Sequence, residues 1–433
     1  PEFEEFENAR VAIPKTIVLC TDVFDEFMDT NNLYQIALSD ADDDVILRYF
    51  LKAKLPDRLV EDFFTFFDVV KSPLAIRSSS LLEDSHYQPF AGIYNTYMIP
   101  YLDDKYEMLR MLSDAIKGVY ASVYFRDSKA YMQATSNVID QEKMAVILQE
   151  VVGNQYGDRY YPSMSGVARS LNYYPIGDEK AEEGIVNLAL GLGKYIVDGG
   201  MTLRFSPYHP NQVLQTSALK ETQTRFYALD LRNAGHDFSI DDGFNLLKLH
   251  VKEAEKDGAL NYIASTYDPY DQIIRDGLYP GGRKVITFAN ILQHDVFPLP
   301  RILQLALKYG EQEMRRPVEI EFAATMSREK DKTGTFYLLQ IRPIVDTKEM
   351  LDEDLTAIPD DQVLLRSNNS LGHGIMNEIH DIIYVKTDDY SASHNQEIAW
   401  EIEKLNQQFL DEGRNYVLVG PGRWGSSDTW LGI

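Results

Sequence analysis

Apolar residues recur along this chain at two spacings, and each switch between them marks an element. The run Ile17–Cys20 is short, apolar and rich in β-formers, which predicts a strand. Thr21-Asp22 then reads as the cap of a helix whose apolar stripe passes through Phe24, Phe27 and Met28. Helical spacing returns over Leu59–Val70, with an aromatic face, and over Lys105–Tyr120, through Met108, Leu109, Leu112, Ile116 and Val119. Strands are predicted at Pro73–Ile76, Met144–Leu148, Phe226–Ala228 and Phe336–Ile341. Near the end the chain reads strand, strand, helix, strand over Val363–Leu365, Asp381–Val385, Asn395–Leu410 and Tyr416–Val419. No internal repeat is visible.

These elements divide the chain into residues 1–148, residues 149–345, an acidic Pro-containing linker at 346–362 and a partial α/β domain at 363–433. A length of 433 residues exceeds the usual single domain, and 44% hydrophobic residues suffice for more than one core. The net charge of −25 argues against nucleic acid or an anionic membrane as a main partner, because both call for clustered Lys and Arg. No apolar run is long enough to span a bilayer, and no signal peptide is visible. The single cysteine, Cys20, lies in an apolar run, so a buried thiol and a reducing, cytoplasmic setting are expected. The start at Pro1 without Met, and the stop after Trp430-Leu431-Gly432-Ile433, read as a piece of something longer.

The stretch with most chemistry is Arg77-Ser78-Ser79-Ser80, followed by Glu83-Asp84 and Phe90-Ala91-Gly92. Arginine at a strand end offers a rigid, permanently charged fork for phosphate oxygens. The serines add hydroxyls and closely spaced N–H groups, and Gly92 lets the backbone approach a ligand. A capped turn with Arg77 paired to Glu83 or Asp84 fits the same string. A second element, Ala145 to Val152, is an apolar strand ending in Gln149-Glu150, either an ordinary edge strand or one wall of a cofactor pocket. In a third, Glu319 and Glu321 alternate with Val318, Ile320 and Phe322, which puts both carboxylates on one strand face. Gln340 and Arg342 alternate likewise on the strand that would pair across a turn near Lys332–Gly334. That face is either a solvated ladder of cross-strand pairs or a ligand face with hard oxygen donors.

The segment Ile76 to Thr96, IRSSSLLEDSHYQPFAGIYNT, resembles the nucleotide-binding domain of the phosphoenolpyruvate synthase and pyruvate phosphate dikinase family. Gln149-Glu150-Val151-Val152, Gly191-Leu192-Gly193, Glu319-Ile320-Glu321-Phe322 and Gln340-Ile341-Arg342-Pro343 resemble the family's later stretches in the same order. The resemblance implies an α+β chain with an ATP-grasp fold, plus a partial α/β segment at the C-terminus, and ATP and magnesium as cofactors. It implies that Arg77 and Arg342 clamp phosphates, that Ser78, Gly92 and Thr96 line a phosphate loop, and that Gln149, Glu150 and Val152 hold the adenine. Glu319 is carried over to the nucleotide, and Glu321 and Gln340 to the metal. The chain departs from the family pattern in having Arg169 for Phe, Lys194 for Glu and Glu319 for Asp.

Two family features have no counterpart here. Nothing upstream of Ala12 matches the family's Gly-Gly-Lys segment, and none of the eight histidines lies in the phospho-accepting context. Gly372-His373-Gly374 comes nearest, with the wrong flanks. The implied reaction moves the β-phosphoryl of ATP to a histidine on another domain and then to pyruvate, and residues 1–433 alone are expected not to complete it. A dikinase acting on another acceptor, such as a glucan or an antibiotic, and a nucleotide-sensing module without catalysis remain as alternatives. Glycines 191, 193, 199 and 200, with Arg204, could border a phosphate or simply turn the chain. The tail Gly420–Ser427 could bind an anion or anchor packing through Trp424.

Overall fold

The computed structural model describes residues 6, 9–80, 94–134, 142–173, 175–211, 222–232, 238–241, 243–327, 334–344, 358–365, 376, 379–387 and 390–421. Two compact units emerge, Pro1–Val345 and Asp346–Ile433. Helices and several sheets together make a mixed α/β protein.

The first unit has two cores, each built on its own sheet. One sheet runs Thr16–Leu19, Met144–Glu150, Leu74–Ser80, Tyr97–Ile99, all antiparallel. The helices Thr21–Thr30, Asp43–Lys52, Leu59–Val69 and Lys105–Ser122 bury their apolar sides in the core associated with it. The Lys105 helix shows why the local sequence folds this way. Asp104 accepts from the N–H groups of Tyr106 (2.8 Å) and Glu107 (3.1 Å), which satisfies two donors that the helix start leaves open. Met108, Leu112, Ala115, Ile116 and Val119 then fall on one buried face. Tyr120 continues that face, edge-on to Phe24 at 5.0 Å and tilted against Phe27 at 5.4 Å.

The second core lies on a six-stranded sheet ordered Ala9–Ala12, Gly334–Pro343, Val318–Thr325, Met164–Arg169, Ile185–Ala189, Leu203–Phe205. Only the Ala9–Ala12 edge is parallel to its neighbour. Gly166 is fixed by close approach: a Cβ there would come 2.2 Å from the Phe322 ring on the adjoining strand. Smaller sheets complete the unit, one of them ordered Leu246–His250, Arg225–Asp230, Arg159–Tyr161, Asn154–Tyr156.

In the second unit, Ile379–Tyr384 pairs in parallel with Asn415–Val419, and the helix Asn395–Asp411 supplies the crossover that parallel pairing requires. Of the acidic 346–362 stretch, residues 358–362 are described, with a 3-10 turn at Asp360–Gln362. No helix among the described residues is long and apolar enough to cross a membrane.

Four expectations need correction. Cys20 is exposed, because the strand ends at Leu19 and Cys20 is the N-cap of the next helix. That helix therefore starts at Thr21, without a side-chain cap. Val363–Leu365 forms no strand, and Leu364 is 84% exposed, since an apolar triplet without a partner strand has nothing to pair with. The strand at Leu74 continues to Ser80, so Arg77 lies in its interior rather than at its end. The Gly422–Ser427 part of the tail and His373 lie outside the described residues.

The Tyr120 hydroxyl is buried and has no hydrogen-bond partner among the described residues. Such a group carries a desolvation penalty that no bond offsets. Tyr120→Phe is therefore expected to leave stability unchanged or raise it by up to about 1 kcal/mol, read from the urea unfolding midpoint. A clear loss of stability would show that the hydroxyl is bonded.

Candidate functional site

Arg77 joins the two sheets. Its strand lies between Met144–Glu150 and Tyr97–Ile99, with Arg77 opposite Ile147. From there the side chain reaches the other sheet, where Nη2 donates to Glu321 Oε2 at 2.7 Å and to Gln340 Oε1 at 2.6 Å. Those acceptors are brought together by strand register, which sets Glu321 opposite Gln340 and Glu319 opposite Arg342. A bulge between Glu321 and Phe322 ends this frame.

Gln149 braces the junction. Its Nε2 donates to the Leu339 carbonyl at 3.1 Å and to Thr16 Oγ1 at 3.3 Å, while its Oε1 lies 3.5 Å from Arg77 Nη1. Glu150 is held by Ser72 Oγ at 2.8 Å. Along this segment the backbone donors are used unequally. Glu150 N–H bonds the Lys15 carbonyl at 2.9 Å and Val151 N–H the Pro73 carbonyl at 2.8 Å, whereas Val152 N–H has no protein acceptor among the described residues.

These groups border one cavity of about 230 Å³, whose lining includes Arg77, Thr96, Glu321 and the whole segment Gln149–Val152. Gly166 and Phe322 form part of its wall. Ser78, one residue beyond Arg77, falls on the other face of its strand and is not in the lining. Gln340, Glu319 and Arg342 also lie outside the lining, although Gln340 reaches it through Arg77. Gly92 lies outside the described residues. Arg204 is committed elsewhere, donating to Glu179 at 2.7 Å and 3.1 Å. Gly191, at φ +85°, turns the chain against the Tyr227 carbonyl, and Gly193 leads into the helix Lys194–Val197.

Residues that sequence reasoning missed also line the cavity. Lys194 and Asp198 pair across one helical turn, 3.5 Å apart. Their signal was the i, i+4 spacing after Gly193. Tyr94 lines the cavity and donates to the buried Glu142 at 3.2 Å. Burial pushes the Glu142 carboxyl up, against the lowering effect of its hydrogen bonds from Ser80 and Tyr94.

Glu319 is the most constrained acid of the group. Its side chain is 8% exposed and takes Arg169 Nε on Oε2 at 2.6 Å and Arg342 Nε on Oε1 at 2.9 Å. Burial alone would raise its pKa, but the two guanidiniums outweigh it and hold the carboxylate below its ordinary range.

Residues 2–361 match the pyruvate phosphate dikinase, AMP/ATP-binding domain. The chain belongs to that family. Among curated proteins it is similar to the phosphoenolpyruvate synthase of Aeropyrum pernix, 24% identical over 311 residues, which is 70% of this chain and 33% of that protein. It is also similar to the uncharacterized phosphotransferase YvkC of Bacillus subtilis, 25% identical over 190 residues, 44% of this chain and 20% of that one. The chain thus matches between a fifth and a third of the length of these relatives. Membership of an AMP/ATP-binding family agrees with a cavity that combines apolar walls with a few fixed polar groups.

Glu319→Gln removes the charge that both guanidiniums share. A loss of about 2 kcal/mol is expected, below the 3–5 of a fully buried pair because the arginines are partly exposed. The folded carboxylate titrates below its ordinary 4.5, so its contribution is complete above that pH and is lost as pH falls through the folded value. Urea midpoints measured from pH 6 to pH 3 should fall less steeply for Glu319→Gln than for the wild type. Parallel acid limbs would contradict the assignment.

Proposed function

We propose that this cavity is the nucleotide site of an ATP-grasp phosphotransferase module. One observation carries the reading: a single cavity joins a segment whose Val152 N–H has no acceptor among the described residues to the Arg77–Glu321–Gln340 cluster. The edge of an adenine is a donor–acceptor pair, and Val152 N–H beside a backbone carbonyl is its complement. Apolar neighbours such as Val151 and Phe322 cover the ring and exclude water. The phosphates then extend toward Arg77, whose planar fork suits phosphate oxygens, with Arg342 as the second clamp and Thr96 beside them.

Magnesium fits the donor set. Glu321 Oε2 and Gln340 Oε1 already converge on one cationic group, the Arg77 guanidinium, and both are hard oxygens. Magnesium is commonly held by one or two carboxylates plus phosphates, which Glu321 and a bound nucleotide would supply. Glu321 and Gln340 would hold it, and the ion would neutralise phosphate charge. Glu319 supports this row by fixing Arg342.

The relatives' names, a phosphotransferase and a phosphoenolpyruvate synthase, support extending the reading to phosphoryl transfer. Pyruvate as the final acceptor, reached through a phosphohistidine, is what the family resemblance implies. The reading places the acceptor histidine on another domain, as the family resemblance implies. Such a domain would have to enter the cavity mouth to stand in line with the transferring group.

Calorimetry with ATP and magnesium tests the site. Binding is expected, and Arg77→Ala should weaken it by about tenfold or more, the usual effect of losing a charge-assisted phosphate contact. The absence of binding at millimolar ATP would overturn the proposal.

A further inference from the structure

Arg169, Glu319 and Arg342 stand side by side on three neighbouring strands of the large sheet. Glu319 takes Arg169 on one carboxylate oxygen and Arg342 on the other. Two guanidiniums thus face one carboxylate here, whereas in the neighbouring row Arg77 meets Glu321 one to one. A structural partner for Glu319 is already supplied by Arg342, so neutralising the buried acid does not require the second arginine. Arg169 commits only its Nε to Glu319, its side chain is 45% exposed, and its two terminal nitrogens have no protein acceptor among the described residues. Those nitrogens form a donor pair of the geometry that grips a tetrahedral oxyanion.

The position of this row suggests what it holds. Residues 319 and 321 are two apart on one strand, which sets the rows about 7 Å apart. Glu321 lines the cavity and Glu319 lies just beyond the lining. A nucleotide anchored at Val152 with its phosphates passing Arg77 and Glu321 would bring its last phosphoryl group, the most highly charged, to the row that carries the half-exposed Arg169 guanidinium.

We propose that Arg169, held by Glu319 beside Arg342, forms a subsite for the terminal phosphoryl group and makes the site prefer a nucleoside triphosphate over a diphosphate. This rests on the nucleotide reading of the cavity given above. Arg169 here contacts the ligand, and Glu319 is the positioning residue that aims both guanidiniums.

Calorimetry with ATP, ADP and AMP, each with magnesium, tests it on the whole chain. The wild type should bind ATP more tightly than ADP. In Arg169→Met the affinity for ATP should fall about tenfold while ADP and AMP are unchanged, so the preference disappears. Arg169→Lys keeps a cation on Glu319, guards against a folding defect, and should retain part of the preference. An equal loss for all three nucleotides would mean a purely structural role, and it would overturn the proposal, as would an unchanged ATP-to-ADP ratio. Inorganic tripolyphosphate separates the two readings. If it binds in an Arg169-dependent way while no nucleotide binds, the oxyanion subsite stands and the nucleotide assignment falls.

Discussion

A guanidinium that leaves one sheet and ends on another sets the relation between the two cores of the first unit. Arg77 is 21% exposed and Glu321 26%, so their bond lies partly out of water. Removing one partner there costs more than at an exposed ion pair, because the other charge is left partly out of water. The bond also fixes geometry, because Nη2 is shared between a carboxylate from one strand and an amide from its neighbour. Gln149 ties the same junction from the other side through the Leu339 carbonyl. Polar contacts of this kind hold the sheets at a separation that leaves a cavity, where apolar packing would have closed it.

The junction is built from groups that also suit a ligand. Arginine cannot lose its proton, and its fork matches phosphate as well as carboxylate. Arg77 can therefore exchange one anionic partner for another without a change of protonation. Glu319 has a different task. Buried and doubly paired, it keeps its charge and holds two guanidiniums. The two acids sit on one strand face two residues apart and differ in burial and in partners.

Much of the first unit was legible because its signals are local. The helical spacing from Met108 to Val119 and the alternation from Val318 to Phe322 each determine an element and a face without reference to distant residues. The pairing of Glu321 with Gln340 agrees with the alternation read on each of the two strands. Arg77 was harder to place. Its serines read as a turn, yet Ser78–Ser80 pair with Ala145–Val146 and Met144, so a neighbouring strand overrides local preference. The contacts from Arg77 to Glu321 and Gln340 span 244 and 263 residues, a separation no spacing rule reaches. Cys20 misled because an apolar run does not say where its strand stops. The unused donor at Val152 was also invisible, since it depends on Lys15 and Pro73 taking the two preceding N–H groups.

The central claim is that the cavity between the Gln149–Val152 segment and the Arg77 cluster receives ATP. The most direct measurement is hydrogen exchange at the Val152 amide, with and without ATP and magnesium. Its N–H has no protein acceptor among the described residues, so exchange should be fast in the free protein and should slow strongly when ATP binds. Glu150 and Val151, already bonded to Lys15 and Pro73, should change less. If ATP binds while the Val152 amide exchanges as before, the nucleotide lies elsewhere and the account is wrong.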